Sequence, residues 1–557
     1  MENLLTALPL GGLGEIGMNG LVISYQGRRL LVDCGVMFPD AMEASVDVVL
    51  PDLAFFDKHA ESFGAMVLTH GHEDHIGAVP FVLRRAAMPI YASPFTLGLV
   101  ERRLKEHGLL SRADLRVLEP SMRSDGPVVP PELPDFGLSF IRVTHSIPDA
   151  ASLVIHTPKG VVFHTGDFKI DPEPMDDEHF DNEAFRDLGD QGVLLMLSDS
   201  TNAQVPGHTR SERETLQNIE DKITDWHGRV FITQFASNLH RLRGMEAIAE
   251  RTGRRLCLVG RSLHSYTKVA RDAHIPSIDP KRLVDIEHLH KLADNEVLVV
   301  MTGSQGEFRA ALSRASRGEH RHIQFKKGDR ILMSARFIPG NEAHIFDLVN
   351  NLSRLGTDVI HPLMAPIHTS GHARQDELRT MLELVRPQMF VPVHGTHAFL
   401  KAHRALAEDT GVHDTLLVEN GHEFAADSDR GLFVVDEHPM DTCYFDGVHT
   451  GDADTLGLVD RKKLFFNGVV SAVVTLRGGG KAFRPLVQLQ ARGLFTDNDR
   501  LLTAAAAFVT EELIQLGPDR PPGEMEDWTS RLVRRYFRRK SERKPLVMVT
   551  VIKDKNP

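Results

Sequence analysis

The sequence predicts an α/β protein built from two kinds of sheet: a domain of short strands, a parallel-sheet domain inserted into it, and a small α/β domain at the end. Three observations predict this. Strand-like runs with turn signals and few helices between them fill the first part of the chain. From about residue 205 the rhythm changes to buried-looking strands, each followed by a helical stretch, and after Leu363 short strands and histidine-bearing loops return. The expected divisions are 1–205 and 363–450 for the interrupted domain, 206–362 for the insert, and 451–557 for a linker and C-terminal α/β domain.

Within the first domain, Leu21 to Ser24 and Arg29 to Asp33 read as strands about a Gln26-Gly27 turn. Further strands are Met66 to Thr69, Leu138 to Thr144, and the pair Ser152 to His156 and Val161 to His164 about Pro158-Lys159-Gly160. In the insert, Val230 to Gln234, Leu256 to Val259, Val297 to Met301 and Ile331 to Ser334 each run into a polar or Gly-rich loop. Strand, loop and helix in alternation imply a parallel sheet with ligand contacts at the strand C-termini. Met389 to Val393 belongs to the returning domain. Val469 to Leu476, Leu486 to Ala491, a helix near 500 to 515 and Leu546 to Ile552 form the tail.

At 557 residues the chain exceeds one ordinary core. A hydrophobic share of 42% beside 25% charged residues, with no long apolar run, excludes a membrane-spanning protein. The opening segment lacks a basic region and a small-residue cleavage site, so the cytoplasm is expected. Cys34, Cys257 and Cys443 lack CxxC spacing, which argues against a disulfide framework or a thiolate zinc site. The net charge of −12 hides an asymmetry: residues 205 to 345 carry 23 Lys/Arg against 17 Asp/Glu and could face a polyanion. A second basic run (Arg534, Arg535, Arg538, Arg539, Lys540, Arg543, Lys544) reads as a solvated helix face.

Residues 69 to 77 read Thr-His-Gly-His-Glu-Asp-His-Ile-Gly directly after an apolar strand. Four ligand-type side chains, His70, His72, Asp74 and His75, converge within six residues. His145, Asp167 and His394 each sit just after another apolar strand. The total of five imidazoles and two carboxylates suffices for two metals bridged by one carboxylate and one water; a single structural zinc would not require so many. Zinc is the first choice for such an all-His/Asp set and manganese the second.

The run HGHEDHIG resembles the metallo-β-lactamase signature, and the insert with its later motifs resembles the β-CASP nucleases, closest to the ribonuclease J family. Motifs similar to that family's occur in its order: Gly11 to Asn19, Ser198 to Asn202, Thr302 to Glu307, Ile338 to Glu342, His368 to Ala373 and Pro392 to Gly395. They span the chain to about residue 450. Departures are Ala78-Val79, where Gly-Ile is commoner, and Phe308, where proline often follows Gly-Glu. The resemblance implies an αββα metallo-β-lactamase sandwich with an inserted β-CASP parallel-sheet domain and a small C-terminal α/β domain. It further implies one metal on His70, His72 and His145, another on Asp74, His75 and His394, and Asp167 bridging. Asp199, His372 and His394 match the three β-CASP motifs; a histidine at the third marks RNA-type members.

The implied activity is a metal-dependent ribonuclease with 5′-to-3′ exonuclease action on 5′-monophosphorylated, single-stranded RNA, joined by internal cleavage, in rRNA processing, RNA maturation and mRNA decay. Asp74, Asp199 and His372 form the catalytic set. His372 is the candidate acid or phosphate ligand, and Asp199 orients an imidazole. Ser370, Gly371, His372 and Ala373 combine a hydroxyl, backbone N–H groups and a glycine before a helix near Arg374, which suits an anion pocket. Ser304, Gln305, Gly306, Glu307 and Asn341, beside Gly340, would line the same channel. The tail is expected to join subunits into a homodimer or homotetramer. A DNA-directed nuclease of the same superfamily, disfavoured by His394, is one rival. Others are a small-molecule metallohydrolase, for which the basic insert is superfluous, and a non-catalytic binder, which would be expected to lose ligands.

Overall fold

The computed structural model describes residues 3–39, 46–120, 126–338, 340–477, 483–494 and 499–553. Glu2 of the opening segment and Pro339 of the Ile338 to Glu342 motif lie outside them. The chain forms two compact units, Met1–Phe38 with Val48–Cys443, and Pro39–Asp47 with Tyr444–Pro557.

Two sheets face each other in the first unit. One has the strand order Gly431–Glu437, His422–Asp427, Leu5–Gly11, Gly20–Tyr25, Arg28–Val32, Phe63–Leu68, Ile90–Ala92, Leu115–Val117. The other runs Asp414–Thr415, Met389–Val393, Leu195–Asp199, Gly160–His164, Ala151–Thr157, Gly137–Arg142. Period-two alternation explains their packing. Leu21 and Ile23, Leu30 and Val32, Ala65 and Val67 of one sheet meet Leu138 and Phe140, Leu153 and Ile155, Leu195 and Leu197 of the other in one buried cluster. The alternate residues of the second sheet, such as Val154, Phe163, Met196 and Phe390, point the opposite way, under helices Asn182–Gln191, Gln375–Val385 and His397–Asp409. The Gln26-Gly27 turn has positive φ at both residues, 48° and 74°, the geometry that matches strand twist in a two-residue hairpin.

Helices are commoner in the first domain than the sequence suggests. Leu53–His59, Val79–Leu83 and Pro94–Glu106 all lie between strands, and Pro94–Glu106 packs on Ile90–Ala92 and Leu115–Val117 to supply an outer layer. Its signal is diluted by Gly98, yet Phe95, Leu99, Val100 and Leu104 form one buried stripe, and Pro94 suits a first helical position. The layers are those of an αββα sandwich.

The insert has a wholly parallel five-stranded sheet, in the order Arg255–Val259, Val297–Met301, Val230–Thr233, Arg330–Met333, Asp358–Ile360. Val297–Met301 is buried at every residue, as a strand covered on both faces must be. Asn238 caps helix Leu239–Arg251 by accepting from Arg241 N at 2.9 Å. At the root of the insert Arg241, 1% exposed, donates to Glu212 Oε2 at 2.9 Å and to Ser334 O at 2.7 Å. Burial alone would raise the Glu212 carboxyl, but the Arg241 guanidinium holds it below the ordinary carboxylate range.

In the second unit, Leu486–Arg492, Val469–Leu476 and Leu546–Lys553 form a sheet, and helices Asp499–Leu516 and Pro522–Ser541 bury Val509, Leu513, Leu532, Val533 and Phe537 with Val470 and Val474. Arg534, Arg535, Arg538, Arg539 and Lys540 lie on the exposed face of the second helix, with Arg543 and Lys544 just beyond it, also exposed.

Arg241→Met should leave a buried, unpartnered carboxylate and lower unfolding free energy by about 3–5 kcal/mol, whereas adding Glu212→Gln should recover much of that. Urea titration of the two variants checks this; an additive double variant would show that the pair is not coupled.

Candidate metal centre

Parallel pairing of Gly160–His164, Leu195–Asp199 and Met389–Val393 brings the residues after them, Asp167 and His394, to the same end of the sheet as Asp199. Thr69 to His75 follows Phe63–Leu68 in the facing sheet, and His72 opens the short helix Glu73–Ile76. All seven proposed ligands converge there.

Two groups share Asp167. His70, His72, His145 and Asp167 offer ligand atoms within 4.8 Å of one another, as do Asp74, His75, His394 and Asp167. His72 Nδ1 lies 3.1 Å from both His70 Nε2 and His145 Nε2. One proton cannot satisfy both contacts, whereas a divalent cation accepts all three lone pairs. In the second group, His394 Nε2 is buried without a hydrogen bond and lies 3.5 Å from Asp74 Oδ2 and 3.6 Å from Asp167 Oδ2. The donor set and this orphaned nitrogen fit a metal.

Each imidazole is fixed through its other nitrogen. His75 Nδ1 is 2.8 Å from Asp33 Oδ2, His145 Nδ1 2.7 Å from Gly371 O, His394 Nδ1 2.6 Å from Thr201 Oγ1, and His72 Nε2 3.1 Å from Ser237 Oγ. These contacts select the tautomer and aim the free lone pair inward. Asp33 also accepts from Thr69 N at 2.8 Å and Thr69 Oγ1 at 2.9 Å, so one carboxylate holds both the loop and a histidine. Asp33 (φ 60°) and His394 (φ 55°) adopt left-handed backbone, a strain tolerated where surrounding contacts over-determine it.

The electrostatics divide the cluster. Burial, reinforced by neighbouring imidazoles, holds His70 and His145 well below the ordinary histidine value and pulls His72 down to about 4. Burial acts the same way on His75 and His394, but is overcome by Asp167, with Asp33 and Asp74 helping for the first and Asp199 and Asp74 for the second, so both are raised.

Asp199 Oδ2 is 2.8 Å from His372 Nδ1, while Oδ1 accepts from Thr201 Oγ1 at 2.7 Å and so backs His394. The Ser370 loop is pinned beside them. Asn202 Nδ2 donates to Ser370 Oγ and to His372 O, both at 3.0 Å, and Arg336 donates to Asn202 Oδ1 at 2.8 Å. Gly371 has no room for a side chain, since a Cβ would lie 2.6 Å from His145 Cε1. Ala373 is buried.

The remaining channel candidates lie on loops of the insert. Ser304 and Gln305 are buried, and the Gln305 amide is occupied, donating to Arg336 O at 2.8 Å and accepting from Ile338 N at 2.9 Å. Gly306 has φ 76°, Glu307 is exposed, and Asn341 precedes helix Glu342–Arg354. Sequence reasoning gave no role to Asp33, Asn202, Thr201, Ser237 or Arg336. Asn202 and Thr201 lay inside a quoted motif, but a lone Asp33 or Ser237 at a strand end carries no spacing signal.

Comparison with known proteins agrees with this geometry. Residues 15–208 match the metallo-beta-lactamase superfamily, 227–352 the ribonuclease J beta-CASP domain, 360–417 the Zn-dependent metallo-hydrolase RNA specificity domain, and 456–553 the ribonuclease J C-terminal domain. Ribonuclease J 1 of Streptococcus pyogenes serotype M3 is 35% identical over 98% of this chain and 96% of its own length. The chain belongs to the ribonuclease J family. Ribonuclease J of Mycolicibacterium smegmatis is 37% identical over 98% of this chain and 96% of its own, and that of Sinorhizobium meliloti 40% over 85% and 83%. A solved structure of a protein of unknown function from Enterococcus faecalis V583 shares the fold, with a TM-score of 0.52 at 15% identity over 78% of this chain and all of that one. As a ribonuclease J family member the protein is a metal-dependent ribonuclease that binds RNA. Among the described residues no helix is long and apolar enough to cross a membrane.

Asp33→Ala should free the His75 ring and loosen the Thr69 loop, lowering metal affinity about 10- to 100-fold with the fold retained. Metal titration followed by calorimetry, beside circular dichroism, checks it; unchanged affinity would remove Asp33 from the centre.

Proposed function

We propose that this ribonuclease shortens 5′-monophosphorylated single-stranded RNA stepwise from its 5′ end, with internal cleavage as a second mode, in RNA maturation and mRNA decay. One observation carries the reading. His372 is at once a member of the carboxylate–imidazole cluster, 2.8 Å from Asp199 and 3.8 Å from Asp167 Oδ2, and part of the Ser370 to Ala373 loop. His372 N donates to Ser370 Oγ at 3.1 Å and Ala373 N to Phe168 O at 2.6 Å, so a phosphate held by the Ser370 hydroxyl and the N–H groups of Ser370 and Gly371 would register the RNA end close to the reacting bond. Arg336 and Arg374 add positive charge: desolvation and the like charge of Arg374 together lower the Arg336 guanidinium from its ordinary value, which an anion between them would relieve.

In this reading two divalent ions per subunit, zinc before manganese, are held by His70, His72 and His145 and by Asp74, His75 and His394, with Asp167 common to both. Bound there, they would supply Lewis acidity that activates water and offsets phosphoryl charge. The protein's own contribution is orientation and proton supply. Asp199 accepts from His372 Nδ1, leaving Nε2 to carry a proton to the departing 3′-oxygen as water adds to phosphorus and the P–O3′ bond breaks. The products would be a 5′-phosphate and a 3′-hydroxyl.

We also assign the domain division 1–205, 206–362, 363–450 and 451–557, self-association as a dimer or tetramer through the last segment, and a cytoplasmic location.

The test is one 3′-labelled RNA bearing a 5′-monophosphate or a 5′-triphosphate, with DNA alongside. The monophosphate form should yield a ladder of single-nucleotide steps and the triphosphate form should be at least about tenfold slower, roughly 1.4 kcal/mol. His372→Ala should cost about 10²- to 10⁴-fold in rate at unchanged metal content. Equal rates on the two ends would overturn the end-reading pocket, and undiminished activity of Asp74→Ala would overturn the metal assignment.

A further inference from the structure

The second unit carries its charge unevenly. Residues 531 to 544 hold eight Lys/Arg against one Asp/Glu, in a chain whose net charge is −12. Helix Pro522–Ser541 buries Met525, Thr529, Leu532, Val533 and Phe537 along one side. At 3.6 residues per turn, Arg531, Arg534, Arg535 and Arg538 fall within an arc of about 100° on the opposite side. All four are exposed. Arg539 and Lys540 follow, and past the C-cap Glu542 (φ 56°) the run continues through Arg543 and Lys544.

The needs of the fold account for only part of this run. Cations near a helix C-terminus complement its dipole, but that effect is confined to the last turn, which here holds Arg538, Arg539 and Lys540. Arg531, Arg534 and Arg535 stand one to two turns earlier. Arg535 has a carboxylate partner, Glu512 Oε2 at 2.9 Å. Among the described residues Arg531, Arg534, Arg538 and Arg539 have none. Arg531 and Arg534 are three residues apart, Arg534 and Arg538 four, the spacings at which like charges on a helix repel and destabilise it. A polyanion laid along the stripe would offset that repulsion. Two copies joined about a two-fold axis through this face would instead set the same cations against each other. A bilayer surface would need apolar side chains free to insert, whereas Leu532, Val533 and Phe537 are packed in the core with Val470 and Val509. RNA meets the demand with charge alone, and it is the polyanion this protein binds.

We infer that the helix face bearing Arg531, Arg534, Arg538 and Arg539 is an RNA-binding surface of the second unit, which holds the phosphate backbone of long RNA irrespective of its sequence. It rests on RNA being the substrate and not on recognition of the 5′ end. The surface adds affinity through counterion release and takes no part in the chemistry, so its contribution grows with substrate length and fades with salt.

The experiment compares full-length, metal-loaded protein with its Arg531→Gln/Arg534→Gln/Arg538→Gln variant on a 5′-monophosphorylated 60-nucleotide RNA and on a 5′-monophosphorylated trinucleotide confined to the metal centre. KM for the 60-mer should rise about tenfold or more with kcat within about twofold. The slope of log(kcat/KM) against log salt should fall in magnitude by about 2, the share of three phosphate contacts to a single strand at roughly 0.7 each. The trinucleotide should change less than about twofold at every salt concentration, and lysine at the three positions should restore the 60-mer, because charge is what the surface supplies. The thermal midpoint of the glutamine variant should equal or exceed that of the parent, since like-charge repulsion is relieved. An unchanged KM and salt slope for the 60-mer overturn the surface. Equal loss on both lengths also overturns it, by marking damage to the metal centre. So does a change of assembly by light scattering that accompanies the loss, which would assign the face to self-association, or loss of binding to phosphatidylserine vesicles with the 60-mer unaffected, which would assign it to a membrane. Because both substrates carry the same 5′ end, an enzyme indifferent to that end would still give the length effect.

Discussion

Asp167 is 3% exposed, and its Oδ2 lies within 3.9 Å of nitrogens from His70, His75, His145, His372 and His394. A carboxylate removed from water is costly unless neighbours compensate it, and imidazoles removed from water resist charging. The sandwich reconciles the two demands by surrounding one carboxylate with many nitrogens and giving each nitrogen a second, fixed partner. The strained backbone at Asp33 and His394 and the contacts of Thr201 and Gly371 all serve that arrangement.

The insert depends on the same constraint at one remove. Its loops supply Ser237 to His72, Arg336 to Asn202 and Gln305 to the Arg336 segment, so the second sheet acts on the centre through hydrogen bonds at its strand ends. Parallel strands make this feasible, because all their C-termini point one way. The Glu212 and Arg241 pair at the root of the insert ties that sheet to Ser334, immediately after one of those strands.

Much of this was legible in sequence where spacing or apolar runs carry the signal. Val297 to Met301 and Met389 to Val393 have the bounds read from their hydrophobicity, and His70, His72, Asp74 and His75 announce themselves by density. The helix Pro94–Glu106 was not legible, because Gly98 dilutes its apolar stripe. Partners contributed singly from distant strands were not legible either. Asp33 meets His75 across 42 positions and Thr201 meets His394 across 193, and no local pattern encodes such pairings.

Gly371 illustrates how tightly the parts are coupled. Its carbonyl holds His145 Nδ1, and any side chain on it would collide with that ring and with Ser146 Oγ, 2.8 Å from the position of a Cβ. The position therefore offers no graded series of substitutions: a change large enough to be felt by the loop is felt at once by the His145 ring. Drift or engineering that aims to retune the loop by smaller steps enters through Asn202, which donates to Ser370 Oγ and His372 O, or through Arg336, which bears on the loop by way of Asn202.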